Sequence, residues 1–183
     1  NFISDAFKKR SSLAIVNKIK KDCPKSKQIK VKDTLKFLTQ CSSKFRENIN
    51  TKIISITGSC GKTTLKEMLG LILKKLSKTS FSPKSFNNKY GVPLSLFNIK
   101  QNDDFGVLEV GMDKKGEINN LTKIIKPDLG IITNISYAHS KNFKNIKDIA
   151  DAKAEIMNNI KKGGAIILNN DDNFYEYHKK IAL

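Results

Sequence analysis

Short runs of apolar and β-branched residues alternate with amphipathic stretches from Lys52 onward, and this alternation restricts the folds open to the chain. Strands separated by amphipathic helices form a mostly parallel sheet with helices on both faces, which is an α/β fold. The sequence predicts four strands, at Lys52–Thr57, Phe105–Val110, Leu129–Ile135 and Ala165–Leu168. The first predicted helix carries an apolar stripe made of Leu65, Met68, Leu69, Ile72 and Leu76.

Apolar residues at helical spacing mark three further segments. These predicted helices are Asp33–Phe45, where Asp33 fits an N-cap, then 118–125, and then Ile146–Ile160. Residues 47–50 have the composition of a connector and precede the β/α series. We therefore predict a domain boundary near residue 50, which divides the chain into residues 1–49 and 50–183.

The charge of the chain suggests a nucleic-acid binder at first sight, but the composition favours another explanation. The 183 residues include 34 Lys and Arg against 17 Asp and Glu, and only Arg10 and Arg46 are arginines. Nucleic-acid readers favour arginine, whose planar guanidinium pairs with phosphates and base edges. The lysines are spread along the chain among many Asn and Ile, which indicates a compositional bias. We therefore expect no specific nucleic-acid partner.

Cysteine usage and hydropathy indicate the compartment. Cys23, Cys41 and Cys60 contain no C-x-x-C pair, so a reducing environment fits better than a disulfide framework. No apolar run approaches the roughly 18 residues that span a membrane, and no signal peptide is visible. We expect a cytoplasmic, monomeric protein without a membrane span. Because the chain begins at Asn1 and ends without a terminal signature, we also expect a fragment.

A glycine-rich loop between the first strand and its helix is the strongest chemical signal. Its candidate phosphate-binding residues are Gly58, Ser59, Cys60, Gly61, Lys62, Thr63 and Thr64. Main-chain amides and a helix N-terminus can bind phosphates there, Lys62 can neutralise them, and the Thr63 hydroxyl can reach a magnesium ion. Ile56 occupies the place of the first glycine of the general pattern, so the loop is a shortened variant. A glycine-rich turn without a ligand is the alternative.

Two further polar residues follow strands of the predicted sheet. Glu109 lies near the carboxyl end of a strand that is expected to be buried, where a carboxylate must be paired or bind a cation. His139 follows the next strand, although a lone histidine is more often a packing or surface residue. Ligands of open α/β sheets bind at the carboxyl ends of strands, so both residues are candidates for the same site as the loop.

Lys153 falls in the apolar stripe of the predicted helix Ile146–Ile160. Its ammonium group must reach solvent, find an anion or lose its charge chemically. Asn87 and Asn88 lie in a polar turn that leads into a short helix, and their amides can bind a polar ligand. Asp171 and Asp172 are compatible with a metal pair, but a helix cap is the preferred interpretation.

Together these motifs resemble the Mur ligase family, the ATP-dependent amide-bond ligases of peptidoglycan precursor synthesis. The resemblance rests on the loop at 57–64, on Glu109 in Leu-Glu-Val-Gly-Met, on His139 in Asn-Ile-Ser-Tyr-Ala-His and on Lys153 in Ala-Lys-Ala-Glu-Ile. It is strong over about residues 50–172, which implies part of a P-loop ATP-binding domain. Residues 1–49 are less similar and resemble the end of a small α/β domain that binds the UDP substrate.

The resemblance also implies substrates and roles. Asn-Asn-x-x-Gly-Val-Pro-Leu at 87–94 and Gly-Glu-Ile at 116–118 are most similar to members that add D-alanyl-D-alanine to UDP-N-acetylmuramoyl-tripeptide through an acyl phosphate. Lys62 would hold the γ-phosphate of ATP, and Thr63 with Glu109 would bind one Mg²⁺. His139 would bind a second Mg²⁺, supported by a carbamylated Lys153. Asn87 and Asn88 would contact substrate.

Two other functions remain open from the sequence. One is a different Mur-like ligase of the folylpolyglutamate synthase type, against which the Asn-Asn-x-x-Gly-Val-Pro segment argues. The other is a basic P-loop module that binds nucleotides or nucleic acids without ligase chemistry. The family continues well beyond 183 residues, so we expect the isolated chain to be inactive as a ligase.

Overall fold

A computed structural model describes residues 2–137 and 142–183, which form two compact units that divide between Cys41 and Ser42. The first unit contains a helix, a 3₁₀ turn and a parallel pair of short strands. These elements are α1 (Phe2–Lys8), β1 (Ala14–Val16), the 3₁₀ turn Lys25–Lys27 and β2 (Gln28–Lys30). The side chain of Gln28 binds main-chain atoms of Lys20 and Cys23 and so fixes the connection between the two strands.

Helix α2 (Thr34–Glu47) contains the division between the units. Asp33 caps it, because its Oδ1 accepts hydrogen bonds from the amides of Leu35 and Lys36 at 2.8 and 2.9 Å. The predicted N-cap is therefore confirmed. The functional boundary near residue 50 stays a prediction.

The second unit is built on a five-stranded, wholly parallel sheet with strand order β4-β5-β3-β6-β7. The strands are β3 (Lys52–Thr57), β4 (Thr79–Phe81), β5 (Phe105–Glu109), β6 (Leu129–Ile132) and β7 (Ala165–Leu168). The helices are α3 (Lys62–Leu76), α4 (Gly91–Phe97), α5 (Glu117–Ile125), α6 (Ile146–Ala154) and α7 (Tyr175–Ala182). The predicted α/β fold with a mostly parallel sheet is confirmed.

The strand prediction was accurate at β3 and β7 and too long at β6. The last sheet bond of the third predicted strand joins the amide of Thr133 to the carbonyl of Thr57 at 3.0 Å. Beyond it, the carbonyl of Asn134 accepts from the amide of Ser59 in the glycine-rich loop. The chain therefore leaves the sheet three residues before the predicted end at Ile135.

The predicted helix Ile146–Ile160 is wrong in its second half. Helix α6 ends at Ala154, and a 3₁₀ helix follows at Glu155–Asn159. The carboxylate of Glu155 accepts from the amides of Gly116 and Asn119 at 2.6 and 3.1 Å, at the start of α5. The 3₁₀ helix thus begins at Glu155, the residue whose side chain caps helix α5.

Helices cover both faces of the sheet, as predicted. One face packs against α4, α5, α6 and the start of α7. On the other face, Ile54, Ile56, Val107 and Ile131 pack against leucines of α3.

The predicted stripe of α3 is wrong in part. Leu65 and Leu69 face the sheet, whereas Met68, Ile72 and Leu76 are exposed. Lys66 and Gly70 lie on the inner side instead. A Cβ atom at Gly70 would lie 2.4 Å from the ring of Phe81, so glycine permits the close packing of helix and strand.

Arg46 anchors the end of α2 to the core of the second unit. The residue is 2% exposed, and its guanidinium donates to the carbonyls of Ile125 and Lys126 and to Asp128 Oδ2, at 2.6, 3.2 and 3.1 Å. The same carboxylate accepts from the amide of Ile53 at 2.8 Å. Among the described residues, every helix is too short or too polar to cross a membrane.

Candidate active site

The glycine-rich loop has the geometry of an anion-binding turn between β3 and α3. Gly58 and Gly61 have φ angles of 144° and 78°, a region that residues with a side chain rarely adopt. A Cβ atom at Gly58 would lie 1.9 Å from Thr133 Oγ1. The amino group of Lys62 donates to the carbonyls of Gly58 and Ser59 at 2.8 and 3.3 Å. The lysine thus lies across the loop, with its charge where a phosphate would bind.

The loop is fastened to the segment that follows β6. The main-chain and side-chain oxygens of Asn134 accept from the amides of Ser59 and Cys60, each at 2.9 Å. Thr133 Oγ1 donates to the carbonyl of Cys60 at 2.6 Å, and the amide of Ser136 donates to Ser59 Oγ at 2.8 Å. The two segments therefore form one hydrogen-bonded unit. His139, which follows in the sequence, lies outside the described residues.

Glu109 lies at the carboxyl end of β5 and is 1% exposed. Thr63 Oγ1 donates to Glu109 Oε2, and Asn87 Nδ2 donates to Glu109 Oε1, both at 2.7 Å. Within residues 2–137 and 142–183 no ion pair reaches this carboxylate. The structure thus brings together Thr63 and Glu109, and a buried carboxylate with only neutral donors retains acceptor capacity for a cation.

Lys153 lies on α6 and is 2% exposed. Burial, and to a smaller extent the nearby charge of Lys62, lower the pKa of its amine from 10.5 to about 7. No acidic side chain among the described residues pairs with it. A lysine that reaches solvent does not fit this burial, and a pKa of about 7 leaves a large fraction of the amine neutral at neutral pH.

Asn87 and Asn88 border a pocket of about 490 Å³ beside the loop. The side chain of Asn87 is bound to Glu109, and Asn88 Oδ1 accepts from the amides of Tyr90 and Gly91 at the start of α4. The pocket is lined by Lys62, residues 87–90 and 111–113, Glu117, Asn120 and Leu121. Lys62 therefore belongs both to the phosphate loop and to the lining of this pocket.

This strand–loop–helix unit belongs to a known family of nucleotide-dependent enzymes. The Mur ligase middle domain matches residues 56–182, which contain the loop, Glu109 and Lys153. The chain belongs to the Mur ligase family.

Similar proteins agree with this assignment. The chain is 38% identical over 180 residues to the UDP-N-acetylmuramoyl-tripeptide–D-alanyl-D-alanine ligase of Buchnera aphidicola subsp. Acyrthosiphon pisum, a match that covers 98% of this chain and 39% of that relative. A crystal structure of MurF from Acinetobacter baumannii superimposes with a TM-score of 0.89 at 35% identity, over 100% of this chain and 40% of that one.

MurF ligase from Thermotoga maritima in complex with ADP is also similar, with a TM-score of 0.84 and 27% identity over 98% of this chain and 42% of that one. This Mur ligase chain therefore spans about two fifths of the length of the relatives it matches.

Asp172 of this Mur ligase chain has a positioning contact rather than a metal-like environment. Its Oδ1 accepts from the amide of Phe174 at 2.8 Å, and its Oδ2 accepts from the amide of Ile135 at 2.7 Å. The preferred interpretation of a helix cap is wrong, because Phe174 is the N-cap of α7 and no side chain caps this helix; Asp172 instead holds the turn before α7 and the segment after β6. No group of three His, Cys, Asp or Glu side chains that could hold a metal occurs in the part of the chain that the structure describes.

Sequence reasoning missed several residues that hold the Mur ligase site together. Lys66 is fully buried on α3, and Ser82, Thr133 and Asn134 bind groups of the site from loops. Lys66 could have been found as Lys153 was, since it lies between Leu65 and Leu69 in an apolar stripe. The loop residues left no comparable signal in the sequence.

Proposed function

We propose that this chain is the nucleotide-binding part of an ATP-dependent ligase that adds D-alanyl-D-alanine to UDP-N-acetylmuramoyl-tripeptide. One observation carries the proposal: Thr63 of the phosphate loop, next to Lys62, donates to Glu109 at the end of β5, the strand that neighbours β3. The relatives named for this reaction support the choice of substrates. We also propose that the protein acts in peptidoglycan precursor synthesis as a cytoplasmic monomer.

The proposed reaction begins with phosphoryl transfer. The substrate carboxylate attacks the γ-phosphorus of ATP, ADP leaves, and an acyl phosphate forms. The amine of D-alanyl-D-alanine then adds to the acyl carbon, and inorganic phosphate leaves from the tetrahedral intermediate while the amine loses a proton. In such transfers the protein chiefly positions groups and neutralises charge. Lys62 would exchange the carbonyls of Gly58 and Ser59 for phosphate oxygens.

The residues present fit a magnesium ion. Glu109 is a buried carboxylate next to the Thr63 hydroxyl, and both supply the oxygen ligands that Mg²⁺ prefers. When bound, the ion would neutralise charge on the phosphate oxygens. Thr63 and Glu109 would hold one ion, and His139 together with a modified Lys153 would hold a second.

Carbamylation of Lys153 is part of the proposal. A pKa of about 7 leaves a substantial neutral fraction at neutral pH, and a neutral amine adds to carbon dioxide. The new N–C bond gives a carbamate, and the proton goes to solvent. The product is an anion, which removes the cost of an unpaired ammonium beside Lys62 and supplies two oxygens for a hard cation.

Carbon-13 NMR of the chain under labelled carbon dioxide tests this step directly. We expect a carbamate signal in the wild type and none in Lys153→Met, whose apolar side chain has a similar length. Lys75→Met, on the exposed side of α3, is the matched control and should keep the signal. A wild-type spectrum identical to that of Lys153→Met would show that Lys153 is not carbamylated.

We assign the 490 Å³ pocket to the muramyl-peptide substrate. Lys62 lies at its border, so a carboxylate bound there would approach the γ-phosphate. Asn88, Lys89 and Asn120 supply amide and ammonium groups for a polar peptide. Asn87 would contact substrate from the same edge while its Nδ2 holds Glu109.

A chimaeric enzyme tests the ligase function. Residues 1–183 replace the matching 39% of the Buchnera ligase, and phosphate release is measured with both substrates. We expect release that requires both UDP-N-acetylmuramoyl-tripeptide and D-alanyl-D-alanine and that Lys62→Ala abolishes. The isolated chain should release phosphate at background rate, because closure of a complete site is needed to exclude water and present the amine. Turnover with a folate and glutamate instead would favour the folylpolyglutamate synthase type.

A further inference from the structure

Among the residues that the structure describes, Lys66 is the most deeply buried charged group that the proposed reaction does not use. Its side chain is 0% exposed, one helical turn after Lys62 on α3. Its amino group donates to the carbonyl of Ser82 at 2.7 Å and to the carbonyl of Lys84, and it pairs with Glu67 Oε1 at 2.8 Å. Two donor positions of the ammonium thus have main-chain carbonyl acceptors in one loop, and the ion pair with Glu67 balances its charge.

These carbonyls belong to the segment Ser82–Asn88, which lacks regular structure and forms most of the connection from β4 to α4. Lys84 has a φ angle of 48°, in the left-handed region that a lysine rarely adopts. Because this backbone conformation is unfavourable for lysine, a strong external contact is needed to hold it. The ammonium of Lys66 supplies that contact.

The same segment orients Glu109. The amide of Glu109 donates to Ser82 Oγ at 3.3 Å, and Asn87 Nδ2 donates to Glu109 Oε1 at 2.7 Å. The carbonyl of Asn87 accepts from the amide of Gly111 at 2.8 Å, and a Cβ atom at Gly111 would lie 2.9 Å from Asn87 Cγ. Asn87 therefore fits closely against the end of β5, and its position depends on the path of the segment.

We propose that Lys66 is a positioning residue that holds the segment Ser82–Asn88 so that Ser82 and Asn87 orient Glu109 toward Thr63. The contacts form a closed ring: α3 supplies Thr63 and Lys66, Thr63 binds Glu109, Asn87 binds Glu109, and Lys66 binds the segment that carries Asn87. This role deepens the proposed function and rests on it for the magnesium site, while the hold on the segment stands on the structure alone.

Hydrogen exchange of the nucleotide-free chain tests that hold. In Lys66→Met, amides of residues 85–91 should exchange at least about tenfold faster, while those of α3, α5 and the central strands stay unchanged. Lys75→Met, an exposed lysine on the same helix, should leave every segment as in the wild type. Adding Lys84→Gly to Lys66→Met should restore part of the protection, because glycine adopts the left-handed conformation without support.

The magnesium dependence of ADP affinity tests the consequence for Glu109. In Lys66→Met the gain in affinity from Mg²⁺ should fall about tenfold, while affinity without Mg²⁺ stays within about twofold, because the phosphate loop is intact. A general loss of structure would lower both affinities together. If the wild type itself binds no ADP, the proposed function fails, and the exchange experiment still decides the role of Lys66.

Three results would overturn the proposal. The first is a folded Lys66→Met with unchanged exchange at 85–91, and the second is faster exchange throughout the unit. The third concerns folding. If Lys66→Met does not fold, Lys66→Gln is used, since its amide donates to only one carbonyl and should give intermediate exchange at 85–91. If neither variant folds, Lys66 supports the whole unit and the proposal is wrong.

Discussion

At the scale of single residues, two buried lysines on different helices have opposite environments. Lys66 is surrounded by acceptors, and its ammonium is satisfied by two carbonyls and a carboxylate. Lys153 has no acidic partner among the described residues and lies near the charge of Lys62. Burial alone therefore does not define a lysine's role. The acceptors around the nitrogen determine whether it fastens a loop or offers a reactive amine.

The lowered pKa of Lys153 predicts a specific dependence of stability on pH. The folded chain binds this proton with a pKa of about 7, against 10.5 for an ordinary lysine, so the unfolded chain binds more protons between these values. The free energy of unfolding should therefore rise with pH from about 7 toward 10, by roughly 1 kcal/mol per pH unit from this group. Below pH 7 both states are protonated and the dependence ends.

Denaturant unfolding in buffer free of carbon dioxide measures this dependence. The difference in unfolding free energy between wild type and Lys153→Met isolates the group, because other titrating groups are common to both. As the pH rises from 7 to 9, we expect the unfolding free energy of the wild type to increase relative to that of Lys153→Met. Parallel curves for the two proteins would contradict the lowered pKa.

At the scale of elements, loops and helix ends are held by side chains from distant parts of the sequence. Arg46 fastens the end of α2, Glu155 caps α5, and Asn134 binds the phosphate loop. Each of these side chains binds main-chain atoms of a segment that is distant in the sequence but adjacent in the fold. We therefore expect the stability of these loops and helix ends to depend more on the three side chains than on the helix or turn propensity of the local sequence.

Arg46→Lys should destabilise the second unit. A lysine cannot donate in the planar geometry with which Arg46 satisfies three carbonyls and Asp128, so buried acceptors lose partners at a cost of about 2–3 kcal/mol. Denaturant unfolding gives the free energy. Arg10→Lys, at the exposed arginine, is the control and should cost less than about 0.5 kcal/mol. Equal losses of unfolding free energy in the two variants would show that the hydrogen-bonding geometry of the Arg46 guanidinium is not needed.

Gly58→Ala should disrupt the phosphate loop, because the new Cβ atom meets Thr133 Oγ1 and φ is 144°. Gly116→Ala is a matched control, since Gly116 has a φ of 89° and open space around its Cβ position. We expect about 1 kcal/mol from strain at Gly116 and about 3 kcal/mol from strain and contact at Gly58. Thermal unfolding measures the destabilisation that each substitution causes. If Gly58→Ala destabilises the chain no more than Gly116→Ala does, the close approach of Gly58 to Thr133 is contradicted.

Much of the sheet could be predicted because strand composition and glycine positions are local signals. Lys52–Thr57 and Ala165–Leu168 were predicted at their observed bounds. The apolar stripe of α3 was predicted wrongly because Lys66 and Gly70 face inward in place of Met68 and Ile72. Lys66 is buried because a loop carbonyl accepts from its amino group, and Gly70 is buried because it packs against the ring of Phe81. Thr63 and Glu109 were expected at one edge because parallel strand ends converge, whereas Asn134 and Ser82 act through loop geometry that no periodicity records.

At the scale of the whole molecule, the chain combines a phosphate loop with a formal net charge of +17. The charge comes from lysines distributed along the sequence rather than from a cluster of arginines. Dispersed charge attracts polyanions by counterion release without reading their sequence. The phosphate loop, in contrast, offers a defined site of main-chain amides and one lysine.

DNA binding should therefore be weak and independent of sequence. We expect binding to two unrelated duplexes to be equal at low salt and to disappear near physiological salt, with a steep salt dependence. Lys62→Ala should leave this binding unchanged, since one of many lysines is removed. Fluorescence anisotropy across salt concentrations measures it. Preference for one duplex at physiological salt would instead support the basic P-loop module.

The central claim is that residues 57–64 bind the phosphates of ATP together with magnesium held near Thr63 and Glu109. Calorimetric titration of the 183-residue chain with ATP, with and without Mg²⁺, tests it most directly, alongside Lys62→Ala and the control Lys75→Met. We predict weak binding that Mg²⁺ strengthens, loss of binding in Lys62→Ala because the loop's full positive charge is gone, and no change in Lys75→Met. Unchanged ATP affinity in Lys62→Ala would contradict the assignment of the loop.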